Sequence, residues 1–242
     1  MRKLLLSIPV LVFCSCAAPA PEAEAVDASS EATPSKLVID ADPVGLYHDT
    51  MPCADCPGIV TDLWVRADGS YLFQETYLDR DPMPFGTMGN WEVREGRLVL
   101  LEDRSPLMHY AFAAEGLQQM DASGKAPSGS MPLMLQRIQG TLLDRPMRIS
   151  GIYSYADETH AMRPCGMRAD LPLGMQQAGL EMAMWYSERD DSNRKPLVVE
   201  IQAHLGMGPA MEGNDEEEYL FVDKVLRQVR SGECPSRLIA LP

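Results

Sequence analysis

Two thiols three positions apart, Cys53 and Cys56, sit in the stretch Met51-Pro52-Cys53-Ala54-Asp55-Cys56-Pro57-Gly58. Such a pair has a short chemical repertoire. It closes a small disulfide, exchanges disulfides with another thiol, or holds a soft metal ion. Exchange of the thioredoxin kind needs the pair at a helix N-terminus, where the dipole lowers the first thiol's pKa. Here Pro57-Gly58 and a β-branched strand from Ile59 follow the pair, and Asp55 between the thiols disfavours a thiolate. The dithiol-oxidoreductase reading is the weakest of the three.

His48, Met51, Cys53 and Cys56 lie within nine residues, and imidazole, thioether and thiolate together suit Cu(I). The chain also carries 16 methionines, with Met83, Met88, Met207 and Met211 in Gly/Pro-rich stretches that read as open loops. Against that, methionine commonly fills irregular cores, and His48 reads equally as an ordinary loop residue. Two cysteines alone do not build a closed four-ligand zinc site. A structural disulfide or a redox-responsive switch ranks above metal contact. Copper is the cofactor this set would take, and none is required.

Catalysis finds no support. His48, His109, His160 and His204 sit in no nucleophile motif, and Gly-x-Ser-x-Gly is absent. There is no phosphate loop and no dinucleotide fingerprint. The acidic run Asp215 to Glu218 reads as a solvated loop without calcium-site spacing.

The compartment decides which thiol chemistry applies. Arg2 and Lys3 precede an apolar run from Leu4 to Phe13, and small residues Ser15, Ala17 and Ala18 follow. That pattern describes a secretory signal peptide over residues 1–15. Its exit, Phe13-Cys14-Ser15-Cys16, resembles a bacterial lipobox, with Cys16 fitting the lipidated position better than Cys14. Ala17 after it, by resemblance to sorted lipoproteins, implies the outer membrane facing the periplasm. Lipidation would turn a soluble chain into an anchored one. Residues 16–36 are rich in Ala, Pro, Ser and Glu with few large apolar side chains, which is the composition of a flexible tether. Removal of Arg2 and Lys3 moves the formal charge from −14 to −16. So acidic a surface repels nucleic acid and anionic headgroups.

About 206 residues remain after the tether, room for two domains, over 37–143 and 144–242. The first reads as antiparallel β. Ile59 to Arg66 alternates, Asp68-Gly69 turns, and Tyr71 to Gln74 returns. Two more hairpins turn at Glu95-Gly96 and Glu115-Gly116, and Leu133 to Gln136 closes the set. Successive hairpins make an up-and-down meander, which loses its edges by closing into a barrel. The second domain has strands at Ile149–Tyr155, Leu197–Leu205 and Tyr219–Val229, with helix expected over Met175–Glu188. That order fits a five-stranded barrel of the OB type with one helix.

Once Cys14 leaves and Cys16 is acylated, Cys53, Cys56, Cys165 and Cys234 remain. An even count in an oxidising compartment suggests two disulfides. Of three connectivities, the domain split favours 53–56 with 165–234, because the others would staple the domains together. A 70-residue loop closed at Cys165–Cys234 removes roughly 4 kcal/mol of unfolded-chain entropy, against about 2 for the short loop at Cys53. The distal pair is a staple, and a chemical role is more credible for the proximal one.

Gly45-Leu46-Tyr47, Pro52-Cys53-Ala54-Asp55-Cys56-Pro57-Gly58-Ile59, Thr61, Leu63, Asp68-Gly69, Tyr71 and Tyr77 together resemble the N-terminal domain of the NlpE (CutF) copper-homeostasis lipoproteins. Met51 stands where Leu is commoner. Gly151 to Tyr155, Cys165, Gln176 to Tyr186, Val198 to Leu205 and Gly232-Glu233-Cys234 resemble that family's C-terminal domain. The resemblance implies a lipocalin-like barrel joined to an OB-type domain, an outer-membrane lipid anchor and a Cys165–Cys234 disulfide. It further implies envelope-stress signalling through the Cpx two-component system, in response to surface contact, failed lipoprotein trafficking, redox failure and copper. The N-terminal domain would contact the periplasmic sensor domain of the kinase. A separate expectation from the residues is direct copper binding or buffering at Cys53 and Cys56. A third is a small ligand held inside the first barrel.

Overall fold

The computed structural model describes residues 42–126, 133–156, 159–174, 177–188, 197–210, 213, 215–229 and 233–235. The signal peptide, Cys14, Cys16, the tether and Met211 lie outside the described residues.

Eight strands form the first barrel: β1 (Gly45–Met51), β2 (Ile59–Val65), β3 (Ser70–Tyr77), β4 (Phe85–Arg94), β5 (Arg97–Glu102), β6 (Ser105–Ala113), β7 (Gly116–Gln119) and β8 (Met134–Ile138). Each pairs antiparallel with the next, and β8 returns to β1 through Leu46↔Ile138 and His48↔Gln136. The result is the expected closed up-and-down barrel. Alternation drives it: along β6, Met108, Tyr110 and Phe112 turn inward while the residues between them are less buried. Leu63, Tyr71, Leu98, Leu100, Tyr110, Leu117 and Leu135 fill the interior, none more than about one per cent exposed. An eight-stranded interior is just wide enough for side chains to fill, and these rings and leucines fill it. Burial pushes the Tyr110 phenol far above its ordinary pKa, and its hydroxyl reaches the Met108 sulfur at 3.3 Å.

The second barrel is built from β9 (Met147–Ala156), β10 (Thr159–Pro164), β11 (Leu171–Gly174), α1 (Gln177–Ser187), β12 (Leu197–Pro209) and β13 (Glu216–Val229). The ring runs β9-β10-β11-β13-β12 and back to β9, with only β11 and β13 parallel. One helix between the third and fourth strands of a closed five-stranded ring is the OB arrangement. The Asp215–Glu218 run departs from its expected place in a solvated loop. Glu216–Glu218 open β13, and one Arg66 nitrogen reaches both Glu218 carboxylate oxygens at 2.8 and 2.9 Å.

The two barrels share a core. On β3, Tyr71 and Phe73 face the first barrel's interior, while Leu72 joins Leu142, Met147, Ile149 and Leu205 in a cluster that runs on into the second. Leu46, Trp64 and Met88 do the same from β1, β2 and β4. Strands buried on both faces lose their alternation and read as continuous apolar runs. Met88 is therefore fully buried core and not a loop methionine, and Met207 lies within β12, half exposed.

Candidate functional site

β1 and β2 are held in register from Gly45↔Val65 to Met51↔Ile59, which leaves residues 52–58 to span one end of the first barrel. Pro52 and Pro57 cannot donate to a ladder and keep this segment out of the sheet. Cys53 and Cys56 meet there as a disulfide with Cα atoms 5.3 Å apart. Gly58 opens the way into β2: a Cβ at that position would lie 2.6 Å from the Thr50 methyl of β1. Cys53 Sγ lies 3.5 Å from an Asp55 carboxylate oxygen, and Cys56 Sγ lies 3.4 Å from the Gly58 carbonyl. Oxidised sulfurs carry no proton, so these are packing contacts; reduced thiols there would donate to both oxygens.

Cys53, Asp55 and Cys56 bring their ligand atoms within 4.8 Å of one another. His48 is not in that cluster. It sits on β1 directly across from Asp62 of β2, and its Nδ1 lies 2.8 Å from the Asp62 carboxylate. Arg145, just before β9, reaches the same carboxylate at 3.6 Å. Met51 ends β1 half buried, packed on the first barrel's interior cluster. Of the four residues that sequence spacing grouped as metal ligands, the fold joins the two sulfurs, adds Asp55 and turns His48 to a carboxylate partner.

Asp55 has a counter-ion that lies 25 residues away in sequence. Arg80, in the β3–β4 connection, approaches its carboxylate at 2.6 Å, and also lies over the Tyr77 ring. This cation offsets the negative charge that would otherwise oppose a thiolate at Cys53. Both side chains are well exposed, so the pair is screened and its direct contribution to stability is small. The neighbouring Asp81 bonds Arg148 of β9 at 2.7 Å, and Arg148 lies over Phe85. The Met83 amide, with Arg148 beside it, holds the Asp81 carboxyl below the usual carboxylate range. Arg148 and Arg227 flank Glu200, with the Arg227 contact at 2.6 Å. No sequence signal marks this chain of charges, because its members come from four separate strands and connections.

The second cysteine pair, Cys165–Cys234, is also closed, with Cα atoms 5.7 Å apart. Cys165 follows β10 and lines two clefts along the seam between the barrels, of about 210 and 630 Å³. The smaller is walled by Phe85, Thr87, Arg148, Glu200 and Pro235, and the larger by Arg104, Arg163, Arg168 and Cys234. The remaining histidines take structural places. His204 stacks on Phe221 and pairs with Asp223, and His160 shares a hydrogen bond with the Tyr153 hydroxyl between two tyrosine rings.

Comparison with known proteins places this geometry. Residues 47–130 match the NlpE N-terminal domain, and residues 143–235 match the NlpE C-terminal OB domain. Lipoprotein NlpE of Escherichia coli strain K12 is 25% identical over 172 residues, 70% of each chain. A 17 kDa lipoprotein of Treponema pallidum strain Nichols is 41% identical over 59 residues, 24% of this chain and 38% of that protein. Among solved structures, that of the Cpx pathway activator NlpE from Escherichia coli is 22% identical, covers 81% of this chain and all of the other, and has a TM-score of 0.33. A lipoprotein structure from Shewanella oneidensis is 27% identical over 40% of this chain and 89% of its own, with a TM-score of 0.35. The two domain matches fall one on each barrel and carry both cysteine pairs between them, and the chain belongs to the NlpE family.

Proposed function

We propose that this chain is a non-catalytic envelope sensor, anchored in the outer membrane through Cys16 and facing the periplasm, that signals to the periplasmic sensor domain of a Cpx-type histidine kinase. The observation that carries the reading is the pairing of two closed, partly exposed disulfides, one on each barrel, in a member of the NlpE family. A relative bears the description Cpx pathway activator, and the partner is carried over from it. The stimuli are copper, redox failure, surface contact and failed lipoprotein trafficking. Two-electron reduction of either pair changes local covalent structure without cofactor chemistry, which suits a sensor. The test is transcription from a Cpx-type reporter in a deletion strain under copper or reductant. Induction should fall to background and return with the wild-type gene; induction that persists without the gene refutes the reading.

The alternative is direct copper binding or buffering. Cys53, Asp55 and Cys56, with their ligand atoms within 4.8 Å, favour it, and Met51 and His48 lie nearby in sequence. It needs the pair reduced, since only thiolates bind Cu(I) well. Anaerobic Cu(I) titration against a chelator separates the two. Cys53→Ser/Cys56→Ser should bind at least tenfold more weakly than the wild type, and equal affinity removes the thiols from any site.

A further inference from the structure

The outward face of the β12–β13 hairpin carries a row of rings laid on glycine. Leu205 and Leu220 turn into the shared core, fully buried, so their neighbours along each strand point the other way. Register sets His204 across from Phe221, Gly206 across from Tyr219 and Gly208 across from Glu217. Gly174 of β11 stands on the other side of Phe221. None of these three glycines takes a positive φ, so the backbone does not require them. Space does. A Cβ on Gly174 would overlap the Phe221 ring from one side, and one on Gly206 would lie 2.9 Å from it on the other. A Cβ on Gly208 would lie 3.1 Å from the Tyr219 ring and 3.5 Å from the tip of Phe221.

The rings therefore lie down on the sheet in the room that three side chains would fill. Phe221 stacks with His204 at 5.3 Å between centroids and 18° between planes, and Tyr219 follows at 5.9 Å from Phe221. The Tyr219 hydroxyl donates to the Pro209 carbonyl at 2.8 Å and pins the end of the row. All three residues are half-buried, which is the exposure of a ring with one face on the sheet. Glycine inside a strand weakens it and often marks close approach of a ligand. Glu218, on the opposite face, is held by Arg66 of the first barrel at 2.8 Å, so the hairpin is anchored from behind.

Carboxylates rim the row. Asp223 pairs with His204 Nδ1 at 3.0 Å, and an Asp144 oxygen comes within 3.2 Å of the Cβ position at Gly206. Glu217 stands exposed on the same face, across from Gly208. Among the described residues, no lysine or arginine is paired with any of the three. Ring faces carry negative potential, and carboxylates beside them add to it. An OB barrel can stack nucleic-acid bases on such rings, but a chain of formal charge −14 repels their phosphates. The charge that complements this row is positive.

We propose that this face is a docking surface for a basic segment of a partner protein, whose arginine or lysine side chains lie across Phe221 and Tyr219 and reach the carboxylates of Asp223, Asp144 and Glu217. Guanidinium fits best, because it is planar, stacks on a ring and forks to a carboxylate. The surface belongs to the second barrel, apart from the kinase contact expected of the first, and it needs neither disulfide.

Chemical-shift titration of the full mature chain tests it, with an acetylated, amidated peptide of alternating Gly and Arg as the probe at physiological ionic strength. Ring signals of His204, Tyr219 and Phe221 should shift together, and the same peptide with citrulline for arginine should bind at least about tenfold more weakly. Tyr219→Leu/Phe221→Leu keeps every charge and should weaken the arginine peptide about fivefold. Equal affinity in that variant overturns the proposal, since the diffuse negative surface alone would then hold the peptide. Shifts spread over the acidic surface with the rings unmoved overturn it as well. Should the ring variant fail to fold, Asp223→Asn/Glu217→Gln decides. It should weaken binding at least about threefold more than Glu95→Gln/Glu115→Gln, which removes the same charge from hairpin turns of the first barrel, and equal effects refute the site. Chitotetraose, a neutral glycan, should leave the rings unshifted; shifts with it and none with the peptide would assign the row to sugars and sink the basic partner.

Discussion

Leu72→Ala distinguishes two barrels that merely touch from two that share one core. Leu72 is fully buried, yet it lies on the outer face of β3, turned away from the Tyr71 and Phe73 side of the strand. Were the barrels independent, it would be a surface residue, and truncation would change stability by less than about 0.5 kcal/mol. In the shared cluster the substitution removes three heavy atoms worth about 2.4 kcal/mol in transfer at roughly 0.8 each, and the residual cavity adds more. The expected loss is about 3 kcal/mol, or close to 10 °C in Tm for a folded body of this size. Urea unfolding followed by fluorescence and by far-UV circular dichroism reports it. Trp64 and Trp91 lie in the first barrel, and Trp185 lies in α1 of the second. Both probes should give one coincident transition shifted to lower urea with an unchanged slope. Val93→Ala, at a half-exposed position of β4, serves as the null control. A Leu72→Ala cost under about 1 kcal/mol, or two transitions of which only one moves, would refute the shared core.

Two other perturbations are read with the same unfolding measurement. Gly89→Ala would place a Cβ 2.3 Å from the Leu101 carbonyl and 2.7 Å from the buried Tyr71 ring, neither of which can yield cheaply. It should cost about 1–3 kcal/mol, and an unchanged midpoint would contradict the close approach of β4 and β5. His160 is held below the ordinary imidazole pKa by burial, and the hydroxyl of Tyr153, whose phenol burial pushes up to about 12, lies 2.5 Å from its Nδ1 in a shared hydrogen bond. A depressed folded pKa means that this stability is complete above about pH 6.5 and is lost as pH falls through the lower folded value. Wild type should therefore lose more stability than His160→Phe between pH 7.5 and 5; parallel losses would refute the assignment.

Much of the strand order is legible because period-two alternation and Gly-containing turns are local. Asp68-Gly69 and Glu95-Gly96 fall between the strands that the alternation names, and Glu115-Gly116 leads into β7, with Gly116 as its first residue. Glu95 and Gly96 both take positive φ, as a tight hairpin turn demands. β10 and β11 escape that reading because Pro164 and Pro172 argue against strand, and they are tolerated here only at the end of β10 and within a four-residue strand. β1 goes unnamed for another reason. Its His48-Asp49-Thr50 segment reads as loop until Asp62 and the β8 ladder are known to lie beside it.

By itself, the sequence carried the strands outside β1, β10 and β11, the parity of the cysteines and a reason to pair Cys53 with Cys56 and Cys165 with Cys234. Each of these depends on residue type, spacing or count along one chain. Tertiary structure alone decided which groups meet around those sulfurs: Arg80 at Asp55, Asp62 at His48, and Gly166 beside Met88. It also decided that Leu72 and Met88 serve a second core. Such contacts join groups far apart in sequence, and strand register and the docking of one barrel on the other create them.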